Sequence, residues 1–308
     1  MSGSDNPRKF IDPAVLNKIT HLELKARAIV EGFLSGMHKS PHHGFSVEFK
    51  THREYVAGDD LKHLDWKVFG RSDRLFIKEY EMETNLRGHI VLDTSESMEY
   101  GSGDISKLQL ACYIAASMAY LLNQQQDAVG VTCFDKAVSS RVPAKTGHGH
   151  LATLLTALAA TTPKEKTDVE HVFRELAEKF GRRGMVIIIS DLFDDAEKVL
   201  KGLRYFRSKS HDVVVFHVWD EDELTFPFKR MTKFEGLEID DKVLCDPLSV
   251  RKAYLEEVEA FNQKIRRGCQ QQFVDYTLIS SDRRLDVELT KFLAARMGTR
   301  LVRRGGTA

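Results

Sequence analysis

Three oxygen-bearing side chains follow a short apolar stretch in the first third of the chain. Asp93, Ser95 and Ser97 alternate with other residues directly after the apolar-leaning segment 89–92. A loop that leaves a strand at this point could direct one carboxylate and two hydroxyl groups at a single position. Hard oxygen ligands of this kind suit Mg²⁺, Mn²⁺ or Ca²⁺ rather than zinc or copper. The spacing therefore predicts a site for a divalent cation of this group, and we expect Mg²⁺ there, with Mn²⁺ or Ca²⁺ as alternatives.

Two more distant residues are candidate ligands of the same cation. Asp191 follows 185–190, the most apolar segment of the chain, and Thr167 precedes a helical pattern that begins at Asp168. If the strand 185–190 neighbours the first strand, the Asp191 carboxylate reaches the same edge of the sheet. The alternative is a turn in which Asp93 and the serines cap the next helix, as short polar residues often do. The residue types alone leave both interpretations open.

The elements that must position these residues alternate in type from residue 88 onward. Strands are predicted at 89–93, 129–134, 185–190, 213–219 and 276–280, and helices near 106–123, 148–159, 168–180, 194–208, 248–267 and 285–297. This alternation predicts an α/β fold with a doubly wound, mostly parallel sheet. Each strand ends at or beside an aspartate, which brings several acids to one edge. We interpret Asp135, Asp220 and Asp282 as loop or cap residues.

The chain divides into a main domain and smaller flanking parts. We predict a disordered N-terminus at 1–11, a small α+β module at 12–87, the main domain at 88–300 and a flexible tail at 301–308. The module begins with a helix after Asp12-Pro13. The segment 220–246 is less regular, which indicates a surface hairpin or a long loop.

The composition is typical of a soluble folded protein. The 308 residues are 42% hydrophobic and 29% charged, with a formal net charge of 0, so no global charge favours binding to nucleic acid or to an anionic membrane. Residues 1–10 are polar and lack the apolar core typical of a signal peptide, and no apolar run approaches the roughly 20 residues needed to span a bilayer. The four cysteines form no CxxC pair and indicate reduced, buried thiols. We expect a cytoplasmic protein without membrane insertion.

The familiar catalytic motifs are absent from the sequence. Asp93-Thr94-Ser95 lacks the second carboxylate of a haloacid-dehalogenase phosphotransferase, and neither GxxxxGK[ST] nor GxSxG occurs. The histidines near turns have no common zinc-finger spacing; they are His38, His42, His43, His52 and His63. We therefore predict a protein that is not an enzyme, with a metal-dependent phosphoesterase as the alternative.

The candidate ligands resemble a known recognition site. Asp93-x-Ser95-x-Ser97, followed by Thr167 and Asp191, is similar to the metal-ion-dependent adhesion site of von Willebrand factor A-type domains. The resemblance implies that these residues bind a divalent ion directly or through water, with one coordination position open to a partner's carboxylate. One departure is that Leu192, and not a glycine, follows Asp191.

The region before the main domain makes the resemblance more specific. It resembles the signature of the bacterial domain-of-unknown-function family 58 in Gly36-Met37-His38-Lys39-Ser40, Gly44, Glu48-Phe49, Arg53-Glu54-Tyr55, Gly58-Asp59-Asp60, Asp65-Trp66 and Arg71. Members carry a von Willebrand factor A-like domain and are typically encoded beside MoxR-type AAA+ ATPases. The resemblance implies an adaptor that binds such an ATPase and a client presenting an acidic residue. The charged residues around Trp66 fit either a structural network or a docking face.

Overall fold

The computed structural model describes residues 22–37, 52–54, 76–78, 86–163, 168–181, 183–235 and 242–304. Contacts divide the chain into two compact units, one formed by 1–40 with 86–308 and the other by 41–85. The predicted disordered segment 1–11, most of the family-58 signature and Thr167 lie outside the described residues.

The main unit is built on a six-stranded sheet. The strands described along the chain are β1 (His52–Glu54), β2 (Phe76–Lys78), β3 (Arg87–Asp93), β4 (Ala128–Phe134), β5 (Val138–Lys145), β6 (Met185–Ser190), β7 (Asp212–Trp219), β8 (Thr232–Glu235), β9 (Lys242–Cys245) and β10 (Asp275–Ser280). The sheet order is β10-β7-β6-β3-β4-β5. All neighbours pair in parallel except β4 and β5, which are antiparallel. In the smaller unit, β1 and β2 form an antiparallel pair.

Helices cover both faces of this sheet. They are α1 (Leu22–Met37), α2 (Lys107–Gln124), α3 (His148–Ala159), α4 (Val169–Lys179), α5 (Ala196–Ser208), α6 (Glu221–Thr225), α7 (Pro247–Gln271) and α8 (Leu285–Arg304), with a 3₁₀ turn at Glu96–Glu99. The core on one face contains side chains of α1, α2, α3 and α8, and the core on the other contains those of α4, α5 and α7. The predicted α/β class with a doubly wound, mostly parallel sheet is confirmed.

Strand side chains alternate between these two cores. Ile90 and Leu92 of β3 join the first core, whereas Val91 joins the second. Strands buried on both faces need apolar residues at successive positions, which explains the uninterrupted run Met185–Ile189 in β6. The central position of β3 and β6 in the sheet therefore follows from their composition.

Helix α2 is the most deeply buried helix in the described part of the chain. Side chains around its whole circumference are buried, including Leu110, Ile114 and Ala119. A helix that is apolar all round is typical of a core position. Here α2 packs between the sheet and the helices α1 and α3. Its first residue, Lys107, is consequently carried into the interior at the edge where β3 ends.

Three features differ from the sequence prediction or add to it. Strand β5 was not predicted because Val138–Lys145 is polar and mostly exposed and contains Pro143, which an edge strand tolerates. The segment 220–246 holds the short helix α6 and the hairpin β8–β9. Cys245 is half-buried, so the prediction that all four thiols are buried is wrong for this residue of β9.

The predicted domain limits stay a prediction, but the packing of α1 bears on them. This helix falls within the predicted module 12–87, yet it packs against α2 and α8 of the main unit. At the other end, α8 continues to Arg304, within the predicted tail. None of the helices in the described residues combines the length and apolar character needed to cross a lipid bilayer.

Candidate metal site at the carboxyl edge of the sheet

The candidate ligands lie where the order of the strands in the sheet reverses. From β3 the chain proceeds to β4 and β5 on one side, and β6, β7 and β10 are added on the other side. In open α/β sheets, the crevice beyond the carboxyl ends of such a pair of strands is the usual binding position. Asp93 ends β3 and Asp191 follows β6, its direct neighbour. The topology therefore places both carboxylates at the switch point.

Asp93 is buried and held at both carboxylate oxygens. The Ser95 backbone N–H donates to Oδ1 at 3.0 Å, and the Ser190 hydroxyl donates to Oδ2 at 2.5 Å. Ser190 Oγ in turn accepts the backbone N–H of Leu192 at 2.8 Å. This chain of hydrogen bonds joins the loop after β3 to the end of β6.

The loop after β3 is fixed so that its two serine hydroxyls meet. Thr94 donates from both its backbone N–H and its hydroxyl to the carbonyl of Phe134, at 2.7 and 2.8 Å. Ser95 Oγ and Ser97 Oγ then lie 3.0 Å apart, in buried positions. Two adjacent ligands of an octahedral Mg²⁺, each at about 2.1 Å from the ion, are separated by about 3.0 Å. The spacing of the hydroxyls therefore fits two neighbouring positions around such an ion.

The capping interpretation accounts for only part of this loop. The bond from Ser95 N–H to Asp93 is the one that a turn of this type requires. However, the Ser95 side chain does not cap the 3₁₀ turn that follows, and helix α2 is capped by Ser106 with a Gln109 capping box. The two serine hydroxyls instead form a hydrogen bond with each other, and their spacing is also compatible with the cation interpretation.

Asp191 is buried beside the same crevice and is oriented by three elements. Its Oδ1 accepts the Phe193 backbone N–H at 3.3 Å, and its Oδ2 accepts the ammonium of Lys107 at 2.8 Å. Its carbonyl accepts Nε2–H of His217 at 2.8 Å. Because a carbonyl only accepts, His217 carries its proton on Nε2, and Nδ1 accepts from the Tyr276 hydroxyl at 2.7 Å.

The residue after Asp191 adopts a backbone conformation that glycine adopts more easily. Leu192 has φ of 53°, in the left-handed region that disfavours side chains. Its side chain is fully buried, and this burial offsets a conformational cost of about 1 to 2 kcal/mol. The tight turn closes with Asp194 N–H donating to the Leu192 carbonyl at 2.7 Å. The departure from the glycine of adhesion-type domains is therefore accommodated.

Lys107 forms a buried ion-pair triad with two acids. Its Nζ lies 2.8 Å from Asp191 Oδ2 and 2.7 Å from Glu223 Oε1, and its side chain is 1% exposed. Burial lowers the pKa of Lys107, but the attraction of Asp191 and Glu223 more than offsets this and raises its pKa overall. Burial also raises the pKa of Glu223, against the opposing effect of Lys107. The ammonium therefore stays charged in the interior.

The surroundings of Asp93 disfavour its ionised form. Burial, together with repulsion by Asp191, raises the pKa of Asp93 to about 7, although the hydrogen bonds from Ser190 and Ser95 oppose the rise. A divalent cation placed near both carboxylates would relieve this repulsion. Burial lowers the pKa of His217 to about 4, so His217 is neutral at pH 7 and supports Asp191 without adding charge.

Four of the five predicted ligands belong to one region of the structure. Asp93, Ser95 and Ser97 share one loop, and Asp191 follows the neighbouring strand. Thr167 lies outside the described residues. Within the described residues, no group of three or more His, Cys, Asp or Glu side chains could hold a metal ion. The candidate ligands in this region are two carboxylates and two serine hydroxyls.

The other strand-end aspartates are turn and cap residues, as we interpreted them. Asp135 accepts the Ala137 backbone N–H in the turn before β5, and Asp220 caps α6. Asp220 also accepts the Ser281 hydroxyl at 2.8 Å. Asp282 accepts a hydrogen bond from the Ser280 hydroxyl. These contacts account for their position without a ligand role.

Sequence reasoning did not identify Ser190, Lys107 or Glu223. Lys107 did carry a signal, because a cation in the first turn of a helix opposes the helix dipole. Such a residue needs acidic partners, which the structure supplies in Asp191 and Glu223. Ser190 is the polar residue that ends the apolar strand β6, directly after three isoleucines.

Comparison with known proteins gives relatives that have no assigned function. The chain is 29% identical over 220 residues to uncharacterized proteins of mycobacteria, Rv1480 of Mycobacterium tuberculosis and Mb1516 of Mycobacterium bovis. Each alignment covers 70% of this chain and 68% of the relative.

Solved structures with a similar backbone trace have lower sequence identity to this chain. The conserved hypothetical protein BatB from Bacteroides thetaiotaomicron is 15% identical, with a TM-score of 0.46 over 68% of this chain and 98% of that protein. An aerotolerance-related membrane protein from Bacteroides fragilis is 16% identical, with a TM-score of 0.48 over 68% of this chain and 99% of that protein.

The family match is the most direct of the comparisons. Residues 51–264, more than half of the chain, match the model of the family described as "Protein of unknown function DUF58". This range includes β3, β6 and the loops that carry Asp93 and Asp191. The chain therefore belongs to the DUF58 family.

Proposed function

We propose that this chain is a non-enzymatic protein-binding module with a metal-ion-dependent adhesion-type site. In this role it acts in the cytoplasm as an adaptor for a MoxR-type AAA+ ATPase during assembly or maturation of a partner complex. The proposed ligands are Asp93, Ser95, Ser97, Thr167 and Asp191. The proposed ion is Mg²⁺, with Mn²⁺ or Ca²⁺ as substitutes.

One observation carries the proposal. Two serine hydroxyls lie 3.0 Å apart in the same crevice as a buried carboxylate whose pKa is raised by burial and by a second carboxylate. Hydroxyl and carboxylate oxygens are the ligands of hard divalent cations. When bound, the cation would supply a Lewis-acidic position for a carboxylate of the partner.

The protein groups around Asp93 favour holding a ligand over forming a covalent bond to one. Both oxygens of Asp93 already accept hydrogen bonds, from Ser95 and from Ser190. Such bonds fix the carboxylate and lower its nucleophilicity, which supports a binding role. The choice of a MoxR-type ATPase as partner follows from the family resemblance.

The proposal is tested by measuring association with a purified MoxR-type ATPase encoded in the same genome. We expect binding in Mg²⁺, loss of binding in EDTA, and loss of binding for Asp93→Ala with a native circular dichroism spectrum. Asp135→Ala is the matched control, because Asp135 follows the neighbouring strand β4 but forms only a turn contact among its described hydrogen bonds. This control should bind like the wild type.

Two results would contradict the proposal. Association that is equally strong in EDTA and in Mg²⁺ would remove the role of the metal. Hydrolysis of generic phosphate esters in Mn²⁺, lost in Asp93→Asn, would instead establish the phosphoesterase alternative.

A further inference from the structure

Lys107 places a positive charge beside the candidate metal site. Its ammonium touches Asp191 at 2.8 Å, and Asp191 is also the residue whose charge raises the pKa of Asp93. Glu223, on α6, forms the second ion pair of Lys107 at 2.7 Å. Lysine is rarely buried without acidic partners, and at 1% exposure this side chain has little access to water.

The charges of this cluster have a simple balance. The cluster contains three carboxylates and one ammonium. Asp191 and Glu223 pair with Lys107, and Asp93 lies close enough to Asp191 for the two carboxylates to repel each other. When all are ionised, negative charge exceeds positive charge by two, which equals the charge of one divalent cation. Without the ammonium the excess would be three, and the site would stay negative after binding the cation. A negative site would repel the carboxylate of a partner.

We propose that Lys107 tunes this site, weakening its hold on the cation so that the bound cation keeps its attraction for a carboxylate of the partner. The inference rests on the proposed function, and it assigns Lys107 and Glu223 opposite effects. Lys107 lowers the affinity for the metal and raises the affinity for the anion. Glu223 does the reverse, because its charge adds to those of Asp93 and Asp191.

The structure shows how Lys107 is kept in place for this task. Ser106 caps α2 and forms a capping box with Gln109, which fixes the first turn. The Lys107 backbone N–H also donates to the Tyr100 carbonyl at 2.8 Å. On the acidic side, Glu223 Oε2 accepts the backbone N–H of Asp220 at 2.9 Å. Both ends of the ion pair are therefore attached to hydrogen-bonded backbone and not to a freely moving loop.

The test uses two probes on the full chain. Mn²⁺ affinity is measured from the free-ion signal in electron paramagnetic resonance. Attraction for a carboxylate is measured with ¹³C-acetate, as broadening of its carboxyl resonance by the bound Mn²⁺ at equal Mn²⁺ occupancy. For Lys107→Met we expect Mn²⁺ to bind on the order of tenfold more tightly and the acetate effect to fall on the order of tenfold.

Two further variants keep the test informative if Lys107→Met fails to fold. Glu223→Gln should weaken Mn²⁺ binding and strengthen the acetate effect, because it removes one negative charge and retains the pair of Lys107 with Asp191. The double variant Lys107→Met with Glu223→Gln restores the charge balance and should return both measurements toward the wild type.

Lys25 provides the matched control. Its side chain is also buried, at 8% exposure, but its ammonium donates to the neutral Tyr113 hydroxyl at 2.9 Å. Lys25→Met should therefore leave both measurements unchanged. A purely structural role of Lys107 would weaken Mn²⁺ binding in Lys107→Met and predicts no opposite change in Glu223→Gln.

The outcomes separate this inference from the proposed function. The inference alone would be overturned if the wild type binds Mn²⁺ but the folded variants Lys107→Met and Glu223→Gln do not shift as predicted. In that case their Mn²⁺ affinity and acetate effect would change in the same direction or would not change. The proposed function alone would be overturned if Mn²⁺ affinity and the acetate effect shift in opposite directions as predicted but association with the ATPase is unchanged by EDTA. A wild type that binds no Mn²⁺ would overturn both.

Discussion

Phe193 is exposed directly beside the candidate metal site. Its side chain is 65% exposed, whereas that of the preceding residue, Leu192, is fully buried. The left-handed turn at Leu192 and the bond from Phe193 N–H to Asp191 fix the direction in which this ring leaves the surface. Aromatic side chains presented in this way often carry much of the energy of an interface. We therefore expect Phe193 to contact the partner whose carboxylate enters the site.

Replacing Phe193 by Ala should weaken binding of the MoxR-type ATPase about tenfold or more in Mg²⁺, because a side chain that dominates an interface is worth about 2 kcal/mol or more. Mn²⁺ affinity should stay unchanged, since the backbone N–H that holds Asp191 remains. Phe273→Ala is the control, because Phe273 is 63% exposed but precedes β10, at the opposite edge of the sheet. Equal loss in both variants, or none in Phe193→Ala, would rule out this contact.

The sequence identified the candidate ligands of the proposed site but not the lysine and the glutamate that pair beside them. Asp93, Ser95 and Ser97 could be proposed as candidate ligands because they lie two residues apart and follow an apolar strand. Lys107 could not be paired with Asp191 and Glu223 in this way, since the three are far apart along the chain. Their contact depends on α2 being buried on all sides and on the position of α6, and both are properties of the assembled fold.

Elements with strong periodicity were predicted well. The parallel strands β3, β4, β6, β7 and β10 and the long helices of the main domain lie where the apolar pattern placed them. Strand β5 and the short helix α6 were missed for physical reasons. An exposed edge strand buries too little to show a pattern, and α6 is held by the Asp220–Glu223 capping box and not by an apolar face.

Substitutions in helix α1 test whether this helix stabilises the main unit. Ile29 is fully buried in the core of the main unit, whereas Leu24 of the same helix is 51% exposed. Ile29→Ala should lower the free energy of unfolding of the main domain by about 2 to 5 kcal/mol, since it leaves a cavity. Leu24→Ala should change it by less than about 0.5 kcal/mol. Urea unfolding followed by far-ultraviolet circular dichroism measures both.

If α1 belonged to an independent module, Ile29→Ala would leave the unfolding transition of the sheet domain unchanged. That result would restore a boundary near residue 87 and contradict the packing of α1 against α2.

At the scale of the whole molecule, a buried histidine makes stability depend on pH. His89 on β3 stacks on Phe180 with ring centroids 4.1 Å apart. Burial, together with repulsion from His211, Arg141 and Arg87, lowers the pKa of His89 from 6.5 to about 4. Since the folded-state pKa is the lower one, the unfolded chain binds the proton more readily. The contribution of neutral His89 to the free energy of unfolding is therefore fully present above pH 6.5 and is lost as pH falls from 6.5 toward 4.

His89→Phe should remove part of this acid sensitivity. We expect the wild type to lose about 2 kcal/mol of unfolding free energy between pH 7 and pH 5 through His89, and the variant to lose correspondingly less. Urea denaturation at the two pH values measures the difference. His171→Gln, on the exposed face of α4, should retain the wild-type dependence. Equal acid sensitivity of His89→Phe and the wild type would contradict this assignment.

The proposed function requires that the sheet edge at β3 and β6 holds a single divalent cation through Asp93. The most direct measurement is a Mn²⁺ titration of the full chain, followed by electron paramagnetic resonance, for the wild type and Asp93→Asn. We predict one Mn²⁺ bound per wild-type chain and loss of that site in folded Asp93→Asn. Equal binding by the two proteins, or no binding by the wild type, would contradict the account.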